Sequence, residues 1–227
     1  AMFKREQLVQ QNFSRQLIAS QEHERKRIAV DLHDGLGQTL LIIKNKLLMG
    51  LQASGGQPSS IDLFRGASDA ATHALQEVRD ISQNLRPHHL DQLGLTVAIE
   101  SIVEKVAESS GIEFTTSLEN IDGLIEHDNE INVYRIVQES LNNIVKHSGA
   151  TEAFVKTTAI GRLIIATIED NGRGMPQAGG GSVAQGSGMS HMTERARILG
   201  GHVDILPREG KGTVVKLTVP IKQKPTL

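Results

Sequence analysis

The stretch RIAVDLHDGLGQTL, residues 27 to 40, sets an imidazole, His33, directly beside a carboxylate, Asp34, with Gly35, Gly37 and Gln38 close behind. A neutral imidazole nitrogen can attack a phosphoryl group to give a phosphoramidate, which passes that group to a carboxylate once the ring is protonated. The adjacent carboxylate can take the proton released on attack. At about 100° per residue, Leu32, Leu36, Thr39 and Ile43 share one stripe of a helix, His33 falls on its edge, and Asp34 and Gln38 lie on the wet face. Ala29 and Gly37 share the histidine's face and are small enough to let another domain approach. Each glycine disfavours a helix by about 1 kcal/mol relative to Ala, yet the apolar stripe runs past both, so clearance explains them better than termination. Two readings stay open from these residues alone: a nucleophile beside its base, or a polar surface histidine with Asp34 as half of a surface charge pair.

A second group lies downstream. In YRIVQESLNNIVKHSG (134 to 149), Ile136, Leu141, Ile144 and Val145 should face a sheet, while Glu139 and Asn143 stack four apart on one helical face. A carboxylate that accepts a proton and an amide oxygen that ligates Mg²⁺ suit the wall of a nucleotide site, and suit the wet face of an ordinary helix equally well. EDNGRGMP (169 to 176) follows a strand-like run. Asp170 there can accept from the exocyclic amine of adenine while Gly172 and Gly174 admit the ring, or the three can form a plain turn. QAGGGSVAQGSGM (177 to 189) runs into a helix near Ser190, where unpaired N–H groups and the dipole favour polyphosphate; as a plain linker it would need no ligand. GKGT (210 to 213) turns into the last strand, and the other eight histidines, His88 and His89 included, lack metal-ligand spacing.

The order of these groups is more specific than any one of them. Asn143, then Asp170 with Gly172 and Gly174, then Gly186 with Gly188, then Gly212 and Thr213 resembles the N, G1, G2 and G3 boxes of the GHKL ATPases, over roughly residues 95 to 222. That resemblance implies the Bergerat ATP-binding fold, with Mg²⁺ on Asn143, adenine read by Asp170, and phosphates near Lys146, Gly186, Gly188 and Thr213. One position departs: where similar kinases read G-x-x-G-M, this chain has Gly188-Met189-Ser190-His191-Met192.

Upstream, ERKRIAVDLHDGLGQTL (24 to 40) resembles the phosphoacceptor box of NarX/DesK-type histidine kinases, which partner LuxR/NarL-class response regulators. LRPHHLDQLGL (85 to 95) matches the junction of that group, so the resemblance covers nearly the whole chain. It implies autophosphorylation of His33 from ATP and transfer to a regulator aspartate. It also implies dephosphorylation of the regulator, through the Asp-x-x-x-Gln pattern at Asp34 and Gln38, whose amide positions a water. Glu139 is a second candidate base by its position. Two other functions belong to the same superfamily or fold: an ATPase that drives clamp closure, and a dimerisation scaffold with ATP only as ligand.

Elements must position these groups. Residues 3 to 53 and a run from Ser60, its expected N-cap, to about Leu85 carry apolar residues at steps of three and four, which predicts two long helices in an antiparallel hairpin ended by Pro87. Each has one apolar stripe, and a hairpin this thin needs a partner, so a homodimeric four-helix bundle is expected. Beyond it come helices near 96 to 109, 128 to 147 and 190 to 199, and strand-like runs at 112 to 118, 153 to 159, 162 to 170, 202 to 206 and 212 to 220. The expected fold class is therefore an α plus α+β chain in two domains: 1 to 94 for dimerisation and phosphotransfer, and 95 to 227, a mixed sheet under helices, for ATP.

Bulk composition narrows the partners. At 227 residues the chain can bury two cores, and 24 Lys+Arg against 26 Asp+Glu, net −2, give no electrostatic basis for a nucleic-acid partner. Zero cysteines rule out disulfides and suit a cytoplasmic location. No apolar run is long enough for membrane contact, and an uncapped helical start at Ala1-Met2 suggests a segment of a longer parent whose sensor or membrane anchor precedes it.

Overall fold

The computed structural model describes residues 2–53, 58–85, 87–174 and 187–222. In the first half, α1 (Met2–Asp31) passes through a π-helical turn, Leu32–Gly37, into α2 (Gln38–Ala53), so neither Gly35 nor Gly37 ends the helix. α3 (Pro58–Leu85) begins two residues before the expected cap: Ser60 lies inside it, and Pro58 takes the first helical position, where its missing N–H costs nothing. α3 stops just short of Arg86-Pro87, because a proline disfavours helical geometry at the residue before it.

The face that the hairpin buries is small. Ile18, Ala29, Ala71 and Leu75 lie inside it, together with Ser68 and Ser82, and the Ser82 hydroxyl donates to the Ala29 carbonyl at 3.1 Å. Ala29 therefore packs α1 against α3, which corrects the expectation that it clears space beside His33. The stripes read from the sequence point elsewhere: Leu36 (52% exposed), Ile43 (43%) and Ile81 (50%) stand open on this chain.

The second half opens with a short helix that the sequence had not suggested, α4 (His88–Leu93), followed by α5 (Leu95–Ser110) and β1 (Glu113–Leu118). Asp122 fixes the start of α5: its Oδ1 accepts from the Thr96 N–H at 2.9 Å and the Thr96 hydroxyl at 3.1 Å. Then come α6 (His127–Asn143), a π-helical turn at Ile144–Ser148, β2 (Glu152–Ile160), β3 (Leu163–Asp170), α7 (Ser187–Ile198), β4 (His202–Pro207) and β5 (Thr213–Pro220). The strands form the expected mixed sheet, in order β1-β2-β3-β5-β4, with β1 and β2 parallel and the other neighbours antiparallel. In β3, Ile164, Ala166, Ile168 and Asp170 point inward in strict alternation, onto a core shared with Ile99, Ile136, Leu141 and Leu217.

By contact the chain divides into two units, Ala1–His88 and His89–Leu227. Among the described residues no helix is long and apolar enough to cross a membrane.

Candidate functional site

In the first unit, His33 and Asp34 sit inside the π-helical turn and Gln38 is the residue that follows it; all three side chains are exposed. Such turns widen the backbone and recur at functional sites. A Cβ added at Gly35 would meet nothing within 4 Å among the described residues, so packing within this unit does not demand that glycine. The charge-pair alternative for Asp34 is not realised among the described residues. The nearby arginine, Arg27, is committed to Glu24 at 2.6 Å and Asp31 at 3.0 Å, and its hydrogen bond holds the Glu24 carboxyl below its ordinary value. Asp34 stands next to His33 in sequence and makes no ion pair among the described residues.

In the second unit, Asp170 closes β3 and is buried, with its Oδ1 accepting the Gly172 N–H at 2.8 Å. Oδ2 receives no donor from the described residues. Around this carboxylate, backbone meets backbone. A Cβ at Gly172 would collide with the Ser148 carbonyl and come within 2.7 Å of the Ser148 Cβ. A Cβ at Gly212, which has φ +115°, would collide with the Asp170 carbonyl itself, and one at Gly174 would lie 3.2 Å from the Gly212 carbonyl oxygen. Only glycine fits such approaches. Asp170 and Gly174 are thus brought against Gly212, which precedes the first residue of β5, Thr213, while Gly172 closes on Ser148.

Glu139 and Asn143 lie half-buried on one face of α6, as their spacing predicted, and a Cβ at Gly188 would collide with Glu139 Oε1, so the start of α7 touches that carboxylate. Lys146 is exposed on the π-helical turn whose last residue, Ser148, meets Gly172. Among the described residues Glu139, Asn143 and Lys146 make no side-chain hydrogen bond or ion pair, so their polar ends are uncommitted. Gly186, and the glycine-rich stretch up to it, lies outside the described residues. Val145 corrects the sequence reading. It is 46% exposed, because the wider π turn rotates it off the face that Ile136, Leu141 and Ile144 bury.

Two family models match the chain: one described as "Histidine kinase" over residues 24–90, and one described as "Histidine kinase-, DNA gyrase B-, and HSP90-like ATPase" over residues 128–223. The chain belongs to the histidine kinases. Its phosphoacceptor half is of the NarX/DesK type, and its second half is the ATP-binding fold of the GHKL superfamily. Solved kinases agree in fold. The histidine kinase domain of the Erythrobacter litoralis EL346 blue-light activated histidine kinase has 15% identity to this kinase and a TM-score of 0.53, over 81% of this chain and 94% of that one. A longer form of that protein has 16% identity and a TM-score of 0.50, over 84% of this chain and 61% of its own.

Two residues of this kinase's nucleotide region escaped the sequence reading, Ser148 and Asn171. Ser148 is buried; its hydroxyl donates to the Ile144 carbonyl and accepts from the Ala150 N–H, and its carbonyl accepts from the Arg173 N–H at 2.8 Å. Asn171 bonds across to residues 151 and 152. The available signal was their position, a serine at a helix end and an asparagine after a strand, where short polar side chains bond to backbone.

Proposed function

We propose that this kinase core binds Mg·ATP in its second unit and uses it to phosphorylate His33. The observation that carries this is an exposed imidazole in a widened helical turn, beside a carboxylate that pairs with no cation among the described residues, in a chain whose other half is an ATP-binding fold. The residues fit the nucleotide. Glycine at 172, 174 and 212 lets the backbone close up around Asp170, whose Oδ2, without a donor among the described residues, accepts from the adenine amine. Asn143, with Lys146, Gly186, Gly188 and Thr213, takes the Mg²⁺ and phosphates. Mg²⁺ needs few protein ligands at such a site, because the phosphates and waters supply the rest. When bound, Mg²⁺ neutralises charge on the phosphates.

His33 then attacks the γ-phosphorus with one ring nitrogen as the bond to the β-phosphate oxygen breaks and ADP leaves. Asp34 takes the proton from the other ring nitrogen, and Glu139 is the second candidate base. Phosphohistidine passes its phosphoryl group to an aspartate of a LuxR/NarL-class response regulator. Gln38 orients a water against that aspartyl phosphate, so the same surface also removes it. The active form is a homodimer held in the cytoplasm, with the two hairpins forming a four-helix bundle.

The test is to load the core from γ-labelled Mg·ATP and chase it with purified LuxR/NarL-class regulators. Label should move from the kinase to a hydroxylamine-sensitive aspartyl phosphate, and Gln38→Ala should slow its later loss. Steady phosphate release without any labelled chain would show a clamp-type ATPase instead, and bound nucleotide with no label transferred would show a scaffold.

A further inference from the structure

Four residues, Asp170 to Arg173, leave the end of β3, and both flanks of this segment are tied down. On one flank, Asn171 Oδ1 accepts the main-chain N–H groups of Thr151 at 3.0 Å and Glu152 at 3.1 Å, and its Nδ2 lies 3.0 Å from the Thr151 hydroxyl as donor. Its own N–H donates to the Glu152 carbonyl at 3.2 Å. The last rung of the β2–β3 ladder is Ala153 opposite Asp170, so Asn171 extends the pairing by side chain beyond the point where the strands part. The Thr151 carbonyl accepts from the Glu113 N–H at 3.0 Å, which carries the tie on to β1. On the other flank, the Arg173 N–H is held by the Ser148 carbonyl at 2.8 Å. Asp170 immediately precedes both ties, with Oδ1 held by the Gly172 N–H and Oδ2 without a donor among the described residues.

A carboxylate can distinguish one base from another only if its open oxygen stays within hydrogen-bond geometry of the ligand's donor, and a shift of about 1 Å forfeits as much as a hundredfold. We infer that Asn171 is a positioning residue: its side-chain amide holds the end of β3 to the start of β2 and thereby fixes Asp170 for selecting adenine over guanine. This rests on Asp170 reading the base. Adenine presents an amine to that oxygen, whereas guanine presents a carbonyl oxygen, which a fixed carboxylate repels and a mobile one can avoid.

The measurement is the ratio of the dissociation constants of GTP and ATP, taken on the whole chain beside its thermal midpoint. Wild type should favour ATP. Asn171→Ala, which removes all three side-chain bonds, should weaken ATP by between about ten- and a hundredfold with little change for GTP, so that the ratio collapses. Asn171→Asp keeps an acceptor for both N–H groups and should restore the ratio; Thr151→Val loses one weak contact and should leave it alone. If Asn171→Ala does not fold, Asn171→Ser, whose hydroxyl reaches one N–H and not two, should show a partial fall. A lowered thermal midpoint with an unchanged ratio in either variant would overturn the positioning role. A wild type that binds both nucleotides equally, or an Asp170→Asn variant with an unchanged ratio, would overturn the adenine reading beneath it.

Discussion

Gly212 carries its whole contribution in what it lacks. With φ +115° and its α-carbon against the Asp170 carbonyl, it has no room for a methyl group, and a side chain there would push β5 away from the strand end that carries Asp170. Gly212→Ala should cost about 1–3 kcal/mol through overpacking and a strained φ, read from urea unfolding, and should weaken ATP binding in parallel. Asp170, Gly172, Gly174, Asn143 and His33 were legible because each is an unusual residue type at a telling point in the sequence. Asn171 and Ser148 were not. Their partners are backbone groups, for Asn171 some 20 residues away, and spacing along a sequence carries no trace of a bond that depends on two strands ending side by side.

At the scale of elements, apolar periodicity located every strand and every long helix, because burial on one face writes a period of 2 or 3.6 into the sequence. It missed α4, which at six residues is too short to show a period, and both π-helical turns, which change the period locally. Those turns fall on His33 and on the residues after Asn143. Charge inside the second unit was equally hidden: Arg195 of α7 is buried and donates to Asn132 of α6 at 2.9 Å, although a pattern reading would leave both on a wet face. Tyr134 gives α6 a measurable signature. Burial raises its phenol from the ordinary 10 to about 12, so between these values the unfolded chain ionises while the folded one stays protonated, and stability falls as pH rises through that window. As the sole tyrosine in a chain without tryptophan, it should titrate by phenolate absorbance near pH 12 when folded and near 10 in denaturant; a folded midpoint near 10 would mean that α6 does not pack as described.

For the whole molecule, the exposed apolar surface of the hairpin is the feature that one chain does not cover. Leu36, Leu41, Ile42, Ile43, Leu48 and Ile81 are large, apolar and exposed, and full burial of each would contribute about 1.5–3 kcal/mol. A second copy would cover them. Ile43→Glu with Ile81→Glu should shift the mass in solution from two chains to one while nucleotide binding by the second unit persists; a wild type that is already a single chain would refute the four-helix bundle.

Phosphorylation of His33 is read directly from the fate of the γ-phosphate. Incubation of the wild-type core and a His33→Gln variant with γ-labelled Mg·ATP should give acid-labile, base-stable label on the wild type and none on the variant, with both chains binding ATP alike. Equal label on the variant would contradict the assignment of His33 as the phosphoacceptor.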